Sequence, residues 1–343
     1  MKNTIAVVIA TFNGAKYIEV QLLSLEGQTR RPDEIIIYDD GSTDETQSII
    51  KAFALKSRAH VRFFSRERPI GYTNNFLSAA MLTTCNWVAF CDQDDYWYPD
   101  KLETVEKCLI RYSHEDLVMV GHTSIVANER LEPTGQRIPD FRKEEILRPN
   151  SSCPFFCIVG FSMICRSSFV SNYFSNEVPK LPVRYGDPFG HDQWLGLFAN
   201  ILGNVCLIPK PLAIWRRHIA ANTRPPDSLK FAEAMSDLVT FGSPGDYKKR
   251  AFRARFVARY ISMIAASQIA VERRKRLTEA CSNFKSLARY NICRSKIYAS
   301  RKMSKRIKLF FSLVFSGAYF KRKRYGLSIL TMAKDFCFIC FGK

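Results

Sequence analysis

No apolar run in this chain reaches the roughly 18 residues that a membrane-crossing helix needs, so a spanning segment is not expected. No Gly-x-Gly-x-x-Gly follows the first apolar run and no Walker A sequence occurs, which argues against a dinucleotide oxidoreductase and a P-loop phosphate cradle. The eleven cysteines are odd in number and form no regular framework. Cys153 and Cys157, and Cys337 and Cys340, stand in apolar surroundings, and no second pair has zinc spacing, so most are expected to be buried thiols of a cytosolic protein. The N-terminus enters an apolar run at Ile5 after one Lys, which is too short for a signal peptide. The last third is short of carboxylates. Residues 225–343 carry 26 Lys and Arg against 7 Asp and Glu, whereas residues 1–224 carry 25 of each. The whole net charge of +19 therefore sits in the last third. A neutral domain over 1–224 and a basic helical extension over 225–343 are expected. The extension suits an anionic surface (membrane phospholipid, nucleic acid or a lipid-linked diphosphate), or is a solvated helical face.

What is present belongs to a folded protein. The 343 residues are 47% hydrophobic and 13% aromatic, enough for a substantial core. Ile5 to Ala10, Glu34 to Tyr38 and Trp87 to Cys91 are continuous apolar or β-branched runs of the kind buried parallel strands show. Val61 to Phe64 is a shorter one. Helical periodicity separates them, with Ser42 or Thr43 placed to cap the second helix. The order β-α-β-α-β-α-β predicts a doubly wound α/β domain, whose ligands sit outside the carboxyl ends of the strands. Polar clusters stand at three of those ends: Thr11-Phe12-Asn13, Asp39-Asp40, and Asp92 to Asp95.

The third cluster puts three carboxylates within four positions. Like charges so close repel unless a cation or donor-rich ligand neutralises them, and Mg²⁺ is held by one or two carboxylates plus substrate phosphates. A metal-diphosphate site competes here with a solvated acidic turn. Further along, Leu117 to His122 and Val205 to Ile208 read as strands, Ala127 to Asn150 as irregular, and His122 as a packed strand-end residue. Gln193 to Leu202 reads as a helix with Asp192 at or near its N-cap. In the last third, Leu229 to Phe241 and Lys248 to Ala270 have helical periodicity, and Lys305 to Phe315 mixes cations with aromatics. The run Lys321 to Arg324 follows, then an apolar stretch from Ser328 to Phe341. Basic amphipathic helices with Phe and Leu suit a membrane interface. Nucleic acid is not expected, because no recognised nucleic-acid fold accompanies the basic residues. A packed helical extension or a dimer contact competes.

Val8-Ile9-Ala10-Thr11-Phe12-Asn13, Asp39-Asp40-Gly41-Ser42-Thr43-Asp44 and Asp92-Gln93-Asp94-Asp95 resemble the successive signatures of family 2 glycosyltransferases with the GT-A fold. The Asp-Gln-Asp-Asp-x-Trp form with Pro99-Asp100-Lys101-Leu102 is most similar to the bacterial rhamnosyltransferase-like branch. The likeness covers roughly residues 3–220. It implies that Thr11, Phe12 and Asn13 line the nucleotide pocket and that Asp40 contacts the base. It gives Asp92 the ribose or metal shell and Asp94 the Mg²⁺ or Mn²⁺ that bridges the diphosphate. Asp39 and Asp95 are structural. Gly160, in the stretch Cys157 to Arg166, resembles a strand glycine beneath the sugar donor. In Tyr185-Gly186-Asp187-Pro188-Phe189-Gly190-His191-Asp192, Asp192 takes the place of the general base, with His191 where Glu is commoner. Ile214-Trp215-Arg216-Arg217-His218, followed by Asn222-Thr223, resembles an aromatic-Arg-x-His segment without its Gln. Arg216 would hold a phosphate or acceptor anion, and His218 would complete the metal shell or contact the diphosphate.

The resemblance implies an inverting transferase that uses dTDP-rhamnose, or else glucose, galactose or an N-acetylhexosamine from a UDP-sugar. The acceptor would be a lipid-linked saccharide of a surface polysaccharide, at the cytoplasmic face of a bacterial inner membrane, with peripheral attachment. A sugar-nucleotide pyrophosphorylase would need a Gly-rich basic loop that Thr11-Phe12-Asn13-Gly14 does not supply. A non-catalytic membrane-surface binding protein would fit the basic third but would not need three acidic strand ends.

Overall fold

The computed structural model describes residues 3–174, 189–219, 243–268, 270–320 and 329–341. They cluster into two compact units. The first holds described residues 3–148, 157–174 and 190–219, and the second 149–156, 189 and the helices beyond 243. Residues 149–156, which the sequence assigns to the first domain, thus cluster with the helices.

In the first unit, β1 (Ile5–Thr11), β2 (Glu34–Asp39), β3 (Val61–Ser65) and β4 (Trp87–Asp92) are parallel, in the order β3-β2-β1-β4. Ile5, Val7, Ile9, Ile35 and Ile37 have no exposed surface, as expected of strands covered on both faces. The connecting helices are α1 (Ile18–Glu26), α2 (Thr46–Lys56) and α3 (Tyr72–Ala80). Helix α2 starts later than its sequence suggests. Ser42 and Thr43 do not cap it; the Thr46 amide donates to Asp44 Oδ1 at 3.0 Å instead. Ser42 is taken up by Asp39, whose carboxylate accepts from its amide and hydroxyl.

The sheet continues as β4-β9-β6-β10-β5. Strand β9 (Met163–Arg166) runs antiparallel to β4 and to β6 (Leu117–Ala127), β10 (Asn204–Arg216) runs parallel to β6, and β5 (Tyr96–Trp97) closes the edge. Strand β6 runs five residues past the expected His122. Thr123 and Ser124 break the apolar pattern yet are fully buried, because Ser124 Oγ pairs with Ser162 Oγ at 2.7 Å and a satisfied hydroxyl can be buried cheaply. Strand β10 outruns its expected end because it bulges at Pro211 and resumes. The stretch expected to be irregular contains β7 (Pro133–Arg137), paired with β6, and β8 (Glu145–Leu147), paired with β10. Helices α4 (Lys101–Arg111), α5 (Ser167–Tyr173) and α6 (His191–Leu202) complete the unit.

The second unit contains α7 (Pro244–Ser267), α8 (Val271–Ala299), α9 (Met303–Phe315) and α10 (Ile329–Phe341). Helix α7 begins before the expected Lys248 because Ser243 and Asp246 form a reciprocal capping box with Pro244 at the first helical position. Alanines 251, 254 and 258 on α7 are buried, as are Leu277, Ala280, Phe284 and Leu287 on α8, so small side chains let the two long helices pack closely. Arg294 of α8 and Asp335 of α10 form a buried bidentate ion pair, with N–O distances of 2.7 and 2.8 Å. The Tyr298 and Tyr319 hydroxyls donate to the same carboxylate at 2.7 Å each. No helix among the described residues is long and apolar enough to cross a membrane.

The periodic segment Leu229 to Phe241, the run Lys321 to Arg324, Asn222-Thr223 and the loop Tyr185 to Pro188 lie outside the described residues. Five of the eleven cysteines are buried. Cys153, Cys157, Cys337 and Cys340, expected in apolar surroundings, are exposed, because the surfaces that carry them face outward.

Candidate active site

Strand register brings the polar clusters to one end of the sheet. Thr11 pairs with Asp39 across β1 and β2, and Ala10 with Asp92 across β1 and β4. Gln93 then ties two strand ends together. Its Oε1 accepts from the Phe12 amide at 3.0 Å and its Nε2 donates to the Phe12 carbonyl at 3.1 Å. Sequence reasoning missed this clamp, since nothing marks Gln93 among its acidic neighbours.

Within Thr11-Phe12-Asn13 the three side chains behave differently. Thr11 is buried and its hydroxyl donates to Asp39 Oδ2 at 2.7 Å. Asn13 adopts a positive φ of 46° and its Oδ1 accepts from the Thr43 amide at 2.9 Å. Both bind loop to loop. Phe12 projects outward, 47% exposed, with no side-chain bond to another loop among the described residues. Asp40 is buried, and its oxygens accept from the amides of Ile70 and Gly71 at 2.9 and 2.8 Å. It therefore shapes the loop before α3, and about two of its four lone-pair sites stay open.

The acidic loop is built in layers. Asp94 faces His218, whose Nε2 lies 2.8 Å from Asp94 Oδ2. His218 is nearly buried, packs on the Tyr17 ring at 4.4 Å, and leaves Nδ1 without a partner. Asp95 is fully buried, and its Oδ1 accepts from the Arg216 amide at 3.0 Å. Burial first, and then the charges of Asp94 and Asp92, hold its carboxyl well above the usual range. Asp92 is half-buried. Burial and the negative charges of Asp94 and Asp192 push its carboxyl up to about 8. Asp192 is thus electrostatically close to this cluster. It is the second residue of α6, with Gly190 as the cap, near the N-cap as its sequence suggests. Its Oδ1 accepts from the Gln193 amide at 2.8 Å.

Beneath the loop lies Lys101, a fully buried lysine that reads in the sequence only as a helix start. Its Nζ sits 3.3 Å from the centre of the Trp97 ring and donates to the Phe161 carbonyl at 2.8 Å. Burial lowers it to about 7 against the opposing pull of Cys91, Asp95 and Asp92. His122 is buried, and that burial together with the Lys101 charge holds it well below its usual range. It is packed, as its sequence position suggests.

Arg216 is buried. Its guanidinium stacks over Tyr17 at 4.9 Å and Nη1 donates to the Glu129 carbonyl at 3.2 Å, while Nε and Nη2 have no partner. It helps to line a cavity of about 490 Å³ with Lys16, Tyr17, Asn128, Glu129 and Arg130. The Tyr17 hydroxyl donates to Glu129 at 2.7 Å. Neither Tyr17 nor Glu129 carries a motif signal.

Gly160 is not a strand glycine. It opens a short 3₁₀ turn, Gly160–Ser162, before β9. A methyl built on it would lie 2.8 Å from His191 Nε2. His191 itself is buried against Phe76 at 4.4 Å and Phe90 at 5.2 Å, and burial lowers its pKa. The glycine therefore leaves room for the imidazole that fixes the start of α6. Gly160→Ala is expected to lower stability by about 1–3 kcal/mol through overpacking, seen as a lower urea midpoint at unchanged m-value. An unchanged midpoint would show that His191 can move aside freely.

Among the described residues no three His, Cys, Asp or Glu side chains converge as a metal cluster. Asp94 and His218 converge as a pair, a carboxylate oxygen and an imidazole nitrogen. That donor set fits a divalent cation whose remaining ligands come from substrate phosphates and water.

Residues 6–171 match the family model described as Glycosyl transferase family 2, and this stretch of the chain is a domain of that family. The fold is GT-A. The dTDP-rhamnosyl transferase RfbG of Shigella flexneri is 34% identical over 106 residues, which is 30% of this chain and 37% of that protein. The GalNAc(5)-diNAcBac-PP-undecaprenol beta-1,3-glucosyltransferase of Campylobacter jejuni is 22% identical over 344 residues, 96% of this chain and 93% of that protein. The crystal structure of S. aureus TarS 1-349 in complex with UDP-GlcNAc superposes with a TM-score of 0.56 at 15% identity, over 98% of this chain and 91% of that chain. At that identity the likeness is one of fold. The chain spans little more than a third of the length of RfbG and 58% of another curated relative.

Proposed function

We propose that the protein is an inverting, metal-dependent glycosyltransferase that moves a sugar, rhamnose in the first instance, from a nucleotide-sugar to a lipid-linked saccharide. The observation that carries the reading is the pairing of Asp94 with His218 at 2.8 Å; the Asp192 charge, which helps to raise the Asp92 carboxyl, is in keeping with it. One group is suited to the leaving diphosphate and the other to the acceptor hydroxyl. Asp94 and His218 would hold Mg²⁺ or Mn²⁺. Bound there, the cation would supply charge stabilisation for the departing nucleoside diphosphate.

The chain's own residues do the rest. The exposed Phe12 ring offers a stacking face to the base, and the open lone pairs of Asp40 accept one of its N–H groups. Thr11 and Asn13 hold Phe12 in place. Asp92 takes the ribose or an outer position of the metal shell. The unpartnered Nε and Nη2 of Arg216 suit a phosphate or an acceptor anion. Asp192 takes the proton of the acceptor hydroxyl as its oxygen bonds the anomeric carbon. The bond from that carbon to the phosphate oxygen breaks on the opposite side, and the diphosphate leaves with the electron pair.

Names of relatives support the finer choices. RfbG is called a dTDP-rhamnosyl transferase, and the C. jejuni relative is named for an undecaprenol-diphosphate acceptor. The reading puts the chain in surface-polysaccharide synthesis at the cytoplasmic face of a bacterial inner membrane. The basic helical unit of residues 225–343 would be held there peripherally by anionic lipid.

A donor screen tests this. Full-length protein with Mn²⁺ is given dTDP-rhamnose, UDP-glucose, UDP-galactose, UDP-N-acetylglucosamine and GDP-mannose, and melting is followed. A donor at 100 times its Kd stabilises by about 2.7 kcal/mol, a shift of several degrees. One donor is expected to do so only with the cation, and Asp94→Ala is expected to lose the shift. If neither a donor nor free UDP or dTDP moved the melting point, the reading would fail.

A further inference from the structure

The helical unit has an outer face unlike a solvated one. On α9, Met303, Ile307, Phe311 and Phe315 recur every four residues and are all exposed, Phe315 at 84%. The buried residues of that helix, Arg306, Phe310 and Leu313, lie on the other side. At about 100° per residue, Lys308 falls about 20° beyond Phe315, at the edge of the outward arc. Lys302 and Lys305 are exposed as well.

Helix α10 repeats the pattern. Its buried residues are Asp335, Phe338 and Ile339. Its exposed ones, among them Ile329, Leu330, Phe336 and Phe341, are apolar without exception. The two helices touch, with the Phe310 and Phe336 rings 5.8 Å apart, so their outward stripes adjoin. Among the described residues nothing covers them. Scattered exposed apolar residues need no explanation, but two adjoining stripes of large ones do.

The charge around this face selects its partner. Arg301, Lys302, Lys305 and Lys308 are exposed cations, and α9 carries no carboxylate. A protein interface would bury such cations against acidic residues, and a second copy of the chain would bring the same positive charge. A lipid surface with anionic headgroups matches both features at once, taking phenylalanines into the acyl boundary while lysines stay among the phosphates.

We infer that the adjoining outer faces of α9 and α10 form an interfacial membrane-binding surface selective for anionic phospholipid. The inference rests on the proposed attachment of the helical unit to membrane and names the face that makes it. Phe311, Phe315, Phe336 and Phe341 enter the acyl boundary, and Lys302, Lys305 and Lys308 bind headgroups.

The test is co-sedimentation of the full-length protein with vesicles of phosphatidylcholine alone or with 30% phosphatidylglycerol, at low and at high salt. Wild type is expected to bind the anionic vesicles at least ten-fold better than the neutral ones and to lose most binding at high salt. The double substitution Phe311→Ser with Phe315→Ser should lower binding at least ten-fold. Lys305→Ser and Lys308→Ser should each lower it about five-fold. Leu55→Ser, which removes an exposed leucine from the other unit, should change nothing. Donor-induced stabilisation, measured on the same samples, reports folding and the active site independently of lipid.

If wild type bound vesicles and the phenylalanine pair bound equally well, this face would be wrong and membrane attachment would stand. If wild type bound no vesicle, both would fall together. If the substitutions instead turned a dimer into a monomer in light scattering without affecting vesicle binding, the face would be a contact between copies, and the inference would be overturned.

Discussion

Asp192→Asn is expected to lower the rate of sugar transfer by about 10²–10⁴-fold, the usual contribution of a positioned general base, and to leave donor affinity within about two-fold of wild type. The asymmetry follows from the geometry. Asp192 Oδ1 accepts the Gln193 amide at 2.8 Å, and an asparagine oxygen accepts the same bond, so the first turn of α6 keeps its shape. His191 continues to fix that turn against Phe76 and Phe90. The variant loses only the ability to take a proton. Its effect on the metal side runs the other way, because removing the Asp192 charge removes one cause of the raised Asp92 carboxyl. Donor binding should therefore not weaken. Single-turnover transfer and calorimetric donor titration on the same preparation separate the two quantities. A variant that kept a tenth of the rate would move the base elsewhere, with Asp92 the next carboxylate in reach.

How much of this was legible in the sequence depends on how local the signal is. Three of the four parallel strands, β1, β2 and β4, announce themselves because both their faces are buried, so every residue from Ile5 to Ile9 is apolar. The candidate site stood out at strand ends for a related reason: Asp39-Asp40 and Asp92 to Asp95 interrupt apolar runs abruptly, and only a few chemistries tolerate that crowding. Long-range polar pairing was not legible. Strand β6 looked finished at His122 because Thr123 and Ser124 are polar, and the partners that allow their burial, Phe141 for Thr123 and Ser162 for Ser124, are 18 and 38 residues away. Lys101 read only as part of a helix start, and only the tertiary fold puts it under Trp97 and against the Phe161 carbonyl. Gly160 was read through a resemblance as a strand glycine, whereas it opens a 3₁₀ turn against the His191 ring. In each case the missing information was a contact across dozens of residues, which periodicity does not carry.

The largest stability effect is expected far from the chemistry. Asp335→Asn should destabilise the helical unit by about 3–5 kcal/mol, the cost of breaking a buried ion pair from one side. Asp335 has no exposed surface and Arg294 is 97% buried in the pair. The carboxylate takes two bonds from the guanidinium and one each from Tyr298 and Tyr319. Asparagine fits the space but offers one oxygen and adds two N–H donors among groups that already donate. Arg294 would be left charged in a low-dielectric interior, with only the Tyr247 hydroxyl at 3.1 Å as a further partner. Hydrogen exchange on the full chain reads this element by element: protection in α8 and α10 should collapse while the β1 and β4 amides keep theirs. A second variant isolates the cause. Replacing both members by leucine, Arg294→Leu with Asp335→Leu, removes the stranded charge along with the pair and should recover at least half of the loss, since apolar isosteres of buried ion pairs are often neutral. If Asp335→Asn cost less than about 1 kcal/mol, the pair would be solvated in solution, and the packing of α10 on α8 would rest on its aromatic contacts alone.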